Sequence, residues 1–117
     1  MSTARAFFLV AVFLCAAATA HADPRTDAPE TPTRTDVQAA MNAVSGAVSA
    51  CGRGGTVTVS VEFGSDGRVR DATARGSVGG ADIAGTDIER CIVAAARTAV
   101  LPIFRRATYR VNYPFRL

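Results

Sequence analysis

The sequence predicts a small α+β domain in the order helix-strand-strand-helix-strand, with its three strands in one antiparallel sheet and both helices on one face of it. Three observations carry this. Thr35-Asp36-Val37-Gln38 and Thr86-Asp87-Ile88-Glu89 both have the spacing of a capping box, and each opens a run of apolar residues at three- and four-residue steps. Thr56 to Phe63 alternates polar with apolar residues. Thr108 to Leu117 alternates without error, with Tyr109, Val111, Tyr113, Phe115 and Leu117 on one side and Thr108, Arg110, Asn112, Pro114 and Arg116 on the other.

Two segments precede the domain. Arg5, the apolar run from Ala6 to Ala18 and the small-x-small site Ala20-His21-Ala22 have the pattern of a secretory signal peptide over residues 1–22. Its apolar core is short against the roughly 20 residues of a membrane span, so no integral membrane segment is expected in the mature chain. Cys15 would suit a lipoprotein only with a small residue before it, and Leu14 is large. Residues 23–35, DPRTDAPETPTRT, carry three prolines and no large apolar side chain. They are expected to be a disordered, polyproline-like tether reaching about 40 Å when extended. The folded domain is then residues 36–117.

In the first helix Val37, Ala40, Met41, Val44, Val48 and Cys51 share a face, and Gly52 is the expected stop. Gly46 inside it is expected to permit close approach of another element. Val57, Val59, Val61 and Phe63 point inward from the first strand, and Gly64-Ser65-Asp66-Gly67 supplies turn chemistry. The second strand runs from Arg68 to about Gly76. Its apolar pattern slips between Val69 and Ala72, and a β-bulge near Arg70-Asp71 would return Val69, Ala72 and Ala74 to one face. The glycines of 52–55 and 76–80 match no Walker or dinucleotide spacing and are expected to be turns.

Ile88, Cys91, Ile92, Ala95 and Ala99 line the second helix, which Pro102 is expected to close, with Ile103 and Phe104 packing against its end. A hairpin joins the first two strands, and the second helix crosses over to bring the last strand beside the first. Proline cannot donate a ladder hydrogen bond, so Pro114 places the closing strand at an edge with its nitrogen turned outward. The backbone groups of Thr108, Arg110 and Asn112 then face the free side and form the candidate docking edge, which Pro114 limits.

Cys51 and Cys91 fall on expected core faces of the two helices, and in an oxidising compartment they are expected to bond. A redox-active pair would more ordinarily be spaced Cys-x-x-Cys. Removal of the leader takes the only histidine, His21, and the chain has no lysine or tryptophan. No Ser-His or Cys-His nucleophile pair and no imidazole metal ligand then remains, which argues against most enzyme classes and gives no cofactor or metal expectation. Glu62, Asp66, Asp71, Asp82, Asp87 and Glu89 read as turn, cap and surface residues, and a paired-carboxylate hydrolase is the catalytic alternative. The formal charge of +3 includes Arg5, so it falls to +2 without the leader. That excess, scattered over the chain, does not point to nucleic acid.

Several motifs together resemble a known family: Cys51-Gly52, GTVTV at Gly55 to Val59, GRV at Gly67 to Val69, Cys91-Ile92 and YPFRL at Tyr113 to Leu117. Over Val37 to Leu117 the chain resembles the C-terminal domain of TonB energy transducers, and more nearly the TonB-related C-terminal module called AgmX/PglI of myxobacterial envelope and gliding-motility proteins. The resemblance implies a protein-binding envelope module without catalytic residues. The chain departs from an energy transducer in having no retained transmembrane helix and only a short tether, so force transmission to outer-membrane receptors is not expected.

The expected function is therefore a secreted, periplasmic, non-enzymatic module that docks a protein or peptide of the cell envelope by strand addition to Thr108, Arg110 and Asn112. A structural protein or homo-oligomer pairing through the same edge is the second expectation, and a TonB-like component of transport or motility machinery a lesser third.

Overall fold

The computed structural model describes residues 27–117. The expected signal peptide, with Cys15 and His21, and the first part of the expected tether lie outside the described residues. Two helices and a four-stranded antiparallel sheet make up the domain: α1 Arg34–Ser49, β1 Gly55–Gly64, β2 Val69–Val78, β3 Ala81–Asp82, α2 Asp87–Ala96 and β4 Thr108–Arg116. The strand order is β3-β2-β1-β4. The expected order of the three long strands is present, and the expected count of three is corrected to four. The extra strand follows from Gly79 and Gly80, whose φ angles of 61° and 81° suit a two-residue hairpin turn between the paired residues Val78 and Ala81. Two residues are too short to show a period in sequence.

The chain enters the fold earlier than expected. The carbonyls of Pro29 and Glu30 accept the amides of Arg105 and Arg106, both at 3.0 Å, and Pro32 is buried. A proline segment can lie against the domain in this way because each proline offers a carbonyl and leaves no donor to satisfy. The cap of α1 is Thr33, whose hydroxyl accepts the Asp36 amide at 3.1 Å, and not Thr35. Ala40, Met41, Val44 and Val48 are the buried stripe of α1. The helix ends at Ser49 on Ala50, a cap in ordinary helical conformation, and the first left-handed residue is Gly54 at φ 77°, so Gly52 is not its stop. No atom lies within 4 Å of a Cβ built on Gly46, which therefore mediates no close approach.

β1 pairs with β2 through Glu62 opposite Asp71 and then Phe63 opposite Val69, which makes Arg70 the extra residue of a bulge. The bulge sets Ala72 and Ala74 in the core and leaves Val69 half-buried beside them. At the β1–β2 turn Gly67 has φ 80° and donates to Gly64.

Thr86 caps α2 by accepting the Glu89 amide, while the Glu89 carboxylate accepts from Gly85 and not from Thr86, whose own amide is taken by Ile83. α2 stops at Ala96, well before Pro102. Beyond it the backbone is claimed by the β1–β2 turn: Val100 bridges to Arg68, Leu101 donates to Gly67 at 2.8 Å and Phe104 to Ser65 at 3.1 Å. Ala99, Leu101 and Phe104 are buried there, whereas Ile103 stays 37 % exposed, so only Phe104 packs as expected. The alternate residues Val57, Val59, Val61 and Phe63 of β1 and Val111 and Phe115 of β4 meet the buried stripes of both helices in one core. Thr56 and Thr58 lie on the open face of the sheet.

Candidate partner-docking edge

β4 pairs with β1 along its whole length, from Thr56 opposite Arg116 to Gly64 opposite Thr108, with no shift in register. Leu117 and Gly55 exchange two backbone hydrogen bonds, at 2.9 and 3.4 Å. In an antiparallel ladder bonded and non-bonded pairs alternate, so Phe115, Tyr113, Val111 and Tyr109 bond to β1. Pro114, opposite Thr58, falls in a non-bonded pair, and its missing N–H costs β1 nothing. No strand lies beyond β4 among the described residues. The amides and carbonyls of Thr108, Arg110, Asn112 and Arg116 therefore face outward.

The span from Thr108 to Asn112 is about 14 Å at the usual rise per residue. Before it the Pro29 and Glu30 carbonyls occupy the Arg105 and Arg106 amides, and after it Pro114 offers no donor. All three side chains of the span that share the open face are exposed. Two of them already serve β1: the Arg110 guanidinium donates to the Glu62 carboxylate at 3.1 Å, and the Ser60 hydroxyl donates to the Asn112 side-chain oxygen. What β4 offers a visitor is accordingly backbone. On the opposite face the half-buried rings of Tyr109 and Tyr113 flank Val111, with Tyr109 edge-on to Phe104 at 6.2 Å and Tyr113 5.0 Å from Phe115. A visiting strand would meet this apolar margin with every second side chain.

The sulfurs of Cys51 and Cys91 are 2.06 Å apart, at disulfide distance, with Cα atoms 5.7 Å apart. The pair ties the end of α1 to the start of α2. Cys51 is half-buried against the core but Cys91 is exposed, so the two do not both occupy core faces. Gly54, within the loop that the link closes and three residues after Cys51, donates its amide to the Leu117 carbonyl at 3.0 Å.

The carboxylates named from the sequence do not converge. Glu62 meets Arg110, Asp71 meets Arg97 at 3.9 Å, Asp87 meets Arg90, and Asp66, Asp82 and Glu89 accept backbone amides of neighbouring turns. Among the described residues no three His, Cys, Asp or Glu side chains are grouped to hold a metal ion, and no helix is long and apolar enough to cross a membrane. A second open rim runs along β2, the other edge of the strand order expected from the sequence; what that order lacked is β3, which covers only Ser77 and Val78. Compared with known proteins, the chain matches no family model, no curated protein and no solved structure.

Proposed function

We propose that the protein is a non-catalytic module of the cell envelope that docks an extended segment of a protein partner on the outer edge of β4. One observation carries the reading: Thr108, Arg110 and Asn112 present unpaired ladder groups beside an apolar margin, on a strand whose Arg110 and Asn112 side chains are engaged with β1. A leader-like N-terminus and a cysteine pair at disulfide distance support placement in the periplasm. The motif resemblance to TonB-related C-terminal modules supports the same role. Titrating the isotope-labelled protein with peptides from its own envelope fraction tests it. Shifts of the Thr108, Arg110 and Asn112 amides are expected, and a response confined to another surface sinks the reading.

A second reading is pairing of two copies through the same edge, which the register favours in one arrangement. Centred on Val111, an antiparallel pair sets Arg110 opposite the partner's Asn112 and Tyr109 opposite the partner's Tyr113, avoiding an arginine-arginine contact. Light scattering over a concentration series decides it, since a strict monomer at millimolar concentration removes this reading.

A further inference from the structure

We infer that the protein has a second strand-addition site, on the outer rim of β2, and that its ligand is an extended acidic peptide. The site is independent of the β4 edge.

The rim is occupied at both ends and open between them. At one end Val100 bridges to Arg68. At the other, β3 pairs with Ser77 and Val78, and the Gly76 carbonyl accepts the Ile83 amide at 3.1 Å. That last bond shows that the backbone groups of Gly76 face outward. β2 keeps an unbroken register from Asp71 to Val78, so those of Ala74 and Ala72 face outward as well. The β1 ladder agrees. Gly55 bonds to β4, which assigns the odd residues of β1 to β4 and the even ones to Ser77, Arg75, Thr73 and Asp71. Neither Ala72 nor Ala74 has a backbone partner on the outer side among the described residues.

Space lies beside these groups. A hollow of about 420 Å³ separates Ala72 and Thr73 from Arg90 and Val93 of α2 and from Arg97, its C-cap. A second, of about 530 Å³, lies farther along β2 at Ala74 and Gly76 and reaches Asp82 and Ala84. Both are in the size range of ligand sites. A strand laid about 4.8 Å from β2 would bond to Ala72 and Ala74 and direct alternate side chains toward the Val93 side of α2.

Charge selects the ligand. Arg90 and Arg97 border the first hollow, where they meet Asp87 and Asp71, and Arg75 borders the second with no ion pair among the described residues. Two carboxylates also border the hollows, but each is engaged with backbone, Glu89 with the Gly85 amide and Asp82 with the Ala84 amide at 2.9 Å. Asp71 reaches Arg97 only at 3.9 Å. An acidic residue on the visitor would add a charge-assisted bond that no group of the hollows supplies to Arg75.

The test uses three capped synthetic peptides, EVTVEV, KVTVKV and EVTPEV, titrated into the ¹⁵N-labelled protein. EVTVEV is expected to shift the Ala72 and Ala74 amides and slow their hydrogen exchange. KVTVKV, which reverses the charge, and EVTPEV, whose proline interrupts the ladder, are each expected to bind at least about tenfold more weakly. Arg75→Glu lies on an exposed position and is expected to weaken EVTVEV by about tenfold while leaving the spectrum of the core intact. Unshifted Ala72 and Ala74 amides, equal binding of KVTVKV, or an Arg75→Glu protein that binds EVTVEV unchanged would each overturn the proposal. A response confined to Thr108, Arg110 and Asn112 would also overturn it, while supporting the β4 edge.

Discussion

Leu101 lies over Gly67 so closely that its carbonyl oxygen would stand 1.8 Å from a Cβ placed there, while its amide donates to the Gly67 carbonyl at 2.8 Å. The contact locks the segment after α2 under the β1–β2 turn. Gly67 is also left-handed, at φ 80°. Gly67→Ala therefore meets both a backbone clash and a conformational penalty, and is expected to lower stability by at least about 2 kcal/mol. Urea unfolding followed by circular dichroism measures this, and a loss under 0.5 kcal/mol would refute the contact.

The cap of α1 separates two threonines that sequence cannot tell apart. Thr33 holds the Asp36 amide, whereas Thr35 is exposed within the first turn. Thr33→Ala is expected to cost about 1 kcal/mol, and Thr35→Ala close to nothing. Equal losses in thermal unfolding would show that the helix starts where its capping-box spacing predicts.

Gly46 sits inside α1, exposed, with right-handed backbone and nothing near its absent side chain. Gly46→Ala is expected to raise stability by about 1 kcal/mol, since alanine lowers the entropy of the unfolded chain and meets no obstacle. A destabilised variant would reveal a contact on that face.

The Cys51–Cys91 link closes a separation of 40 residues in a small domain. Replacing both cysteines by alanine is expected to cost about 2–4 kcal/mol, with the loss taken largely in the unfolded ensemble. Since Cys91 is exposed, the oxidised protein should lose a similar margin on incubation with dithiothreitol. Identical melting with and without reductant would show that the link carries no stability.

Pro114 interrupts the outward ladder without disturbing the inward one. Pro114→Thr is expected to leave the monomer's stability within about 0.5 kcal/mol, while restoring an outward donor between Asn112 and Arg116. The readout is apparent mass against concentration, which should rise for the variant at concentrations where the parent stays constant. A variant that remains monomeric throughout would deny the proline a protective role.

What could be read from the sequence was what repeats. The valines of β1, the alternation of β4 and the slip at Arg70 each depend on a two-residue period sustained over several residues, and the sheet order of the long strands followed from them. The outward nitrogen of Pro114 was legible for the same reason. Helix ends were less so. α2 stops at Ala96 because Leu101 and Phe104 give their amides to a turn more than thirty residues away in sequence, a tertiary demand with no local mark. The β3 hairpin is two residues long, and the seating of Pro29 and Glu30 depends on the Arg105–Arg106 backbone across the fold. The open edge of β2 was implicit in the expected strand order, but its length was not, because that is set by where β3 ends.

β1 is antiparallel to both β2 and β4, so the two open rims run in the same direction on opposite sides of the sheet. Copies joined in parallel with the β4 rim of one against the β2 rim of the next would be related by translation, a head-to-tail contact with no symmetry to close it and therefore capable of extending without limit. The molecule carries obstacles to such a fibre on each side: a missing donor at Pro114 on one rim, and on the other a bulge at Arg70, a hairpin stub and the α2 wall. Each rim is thereby shortened to a few residues, enough to hold a short peptide but poorly suited to continuous stacking of whole domains.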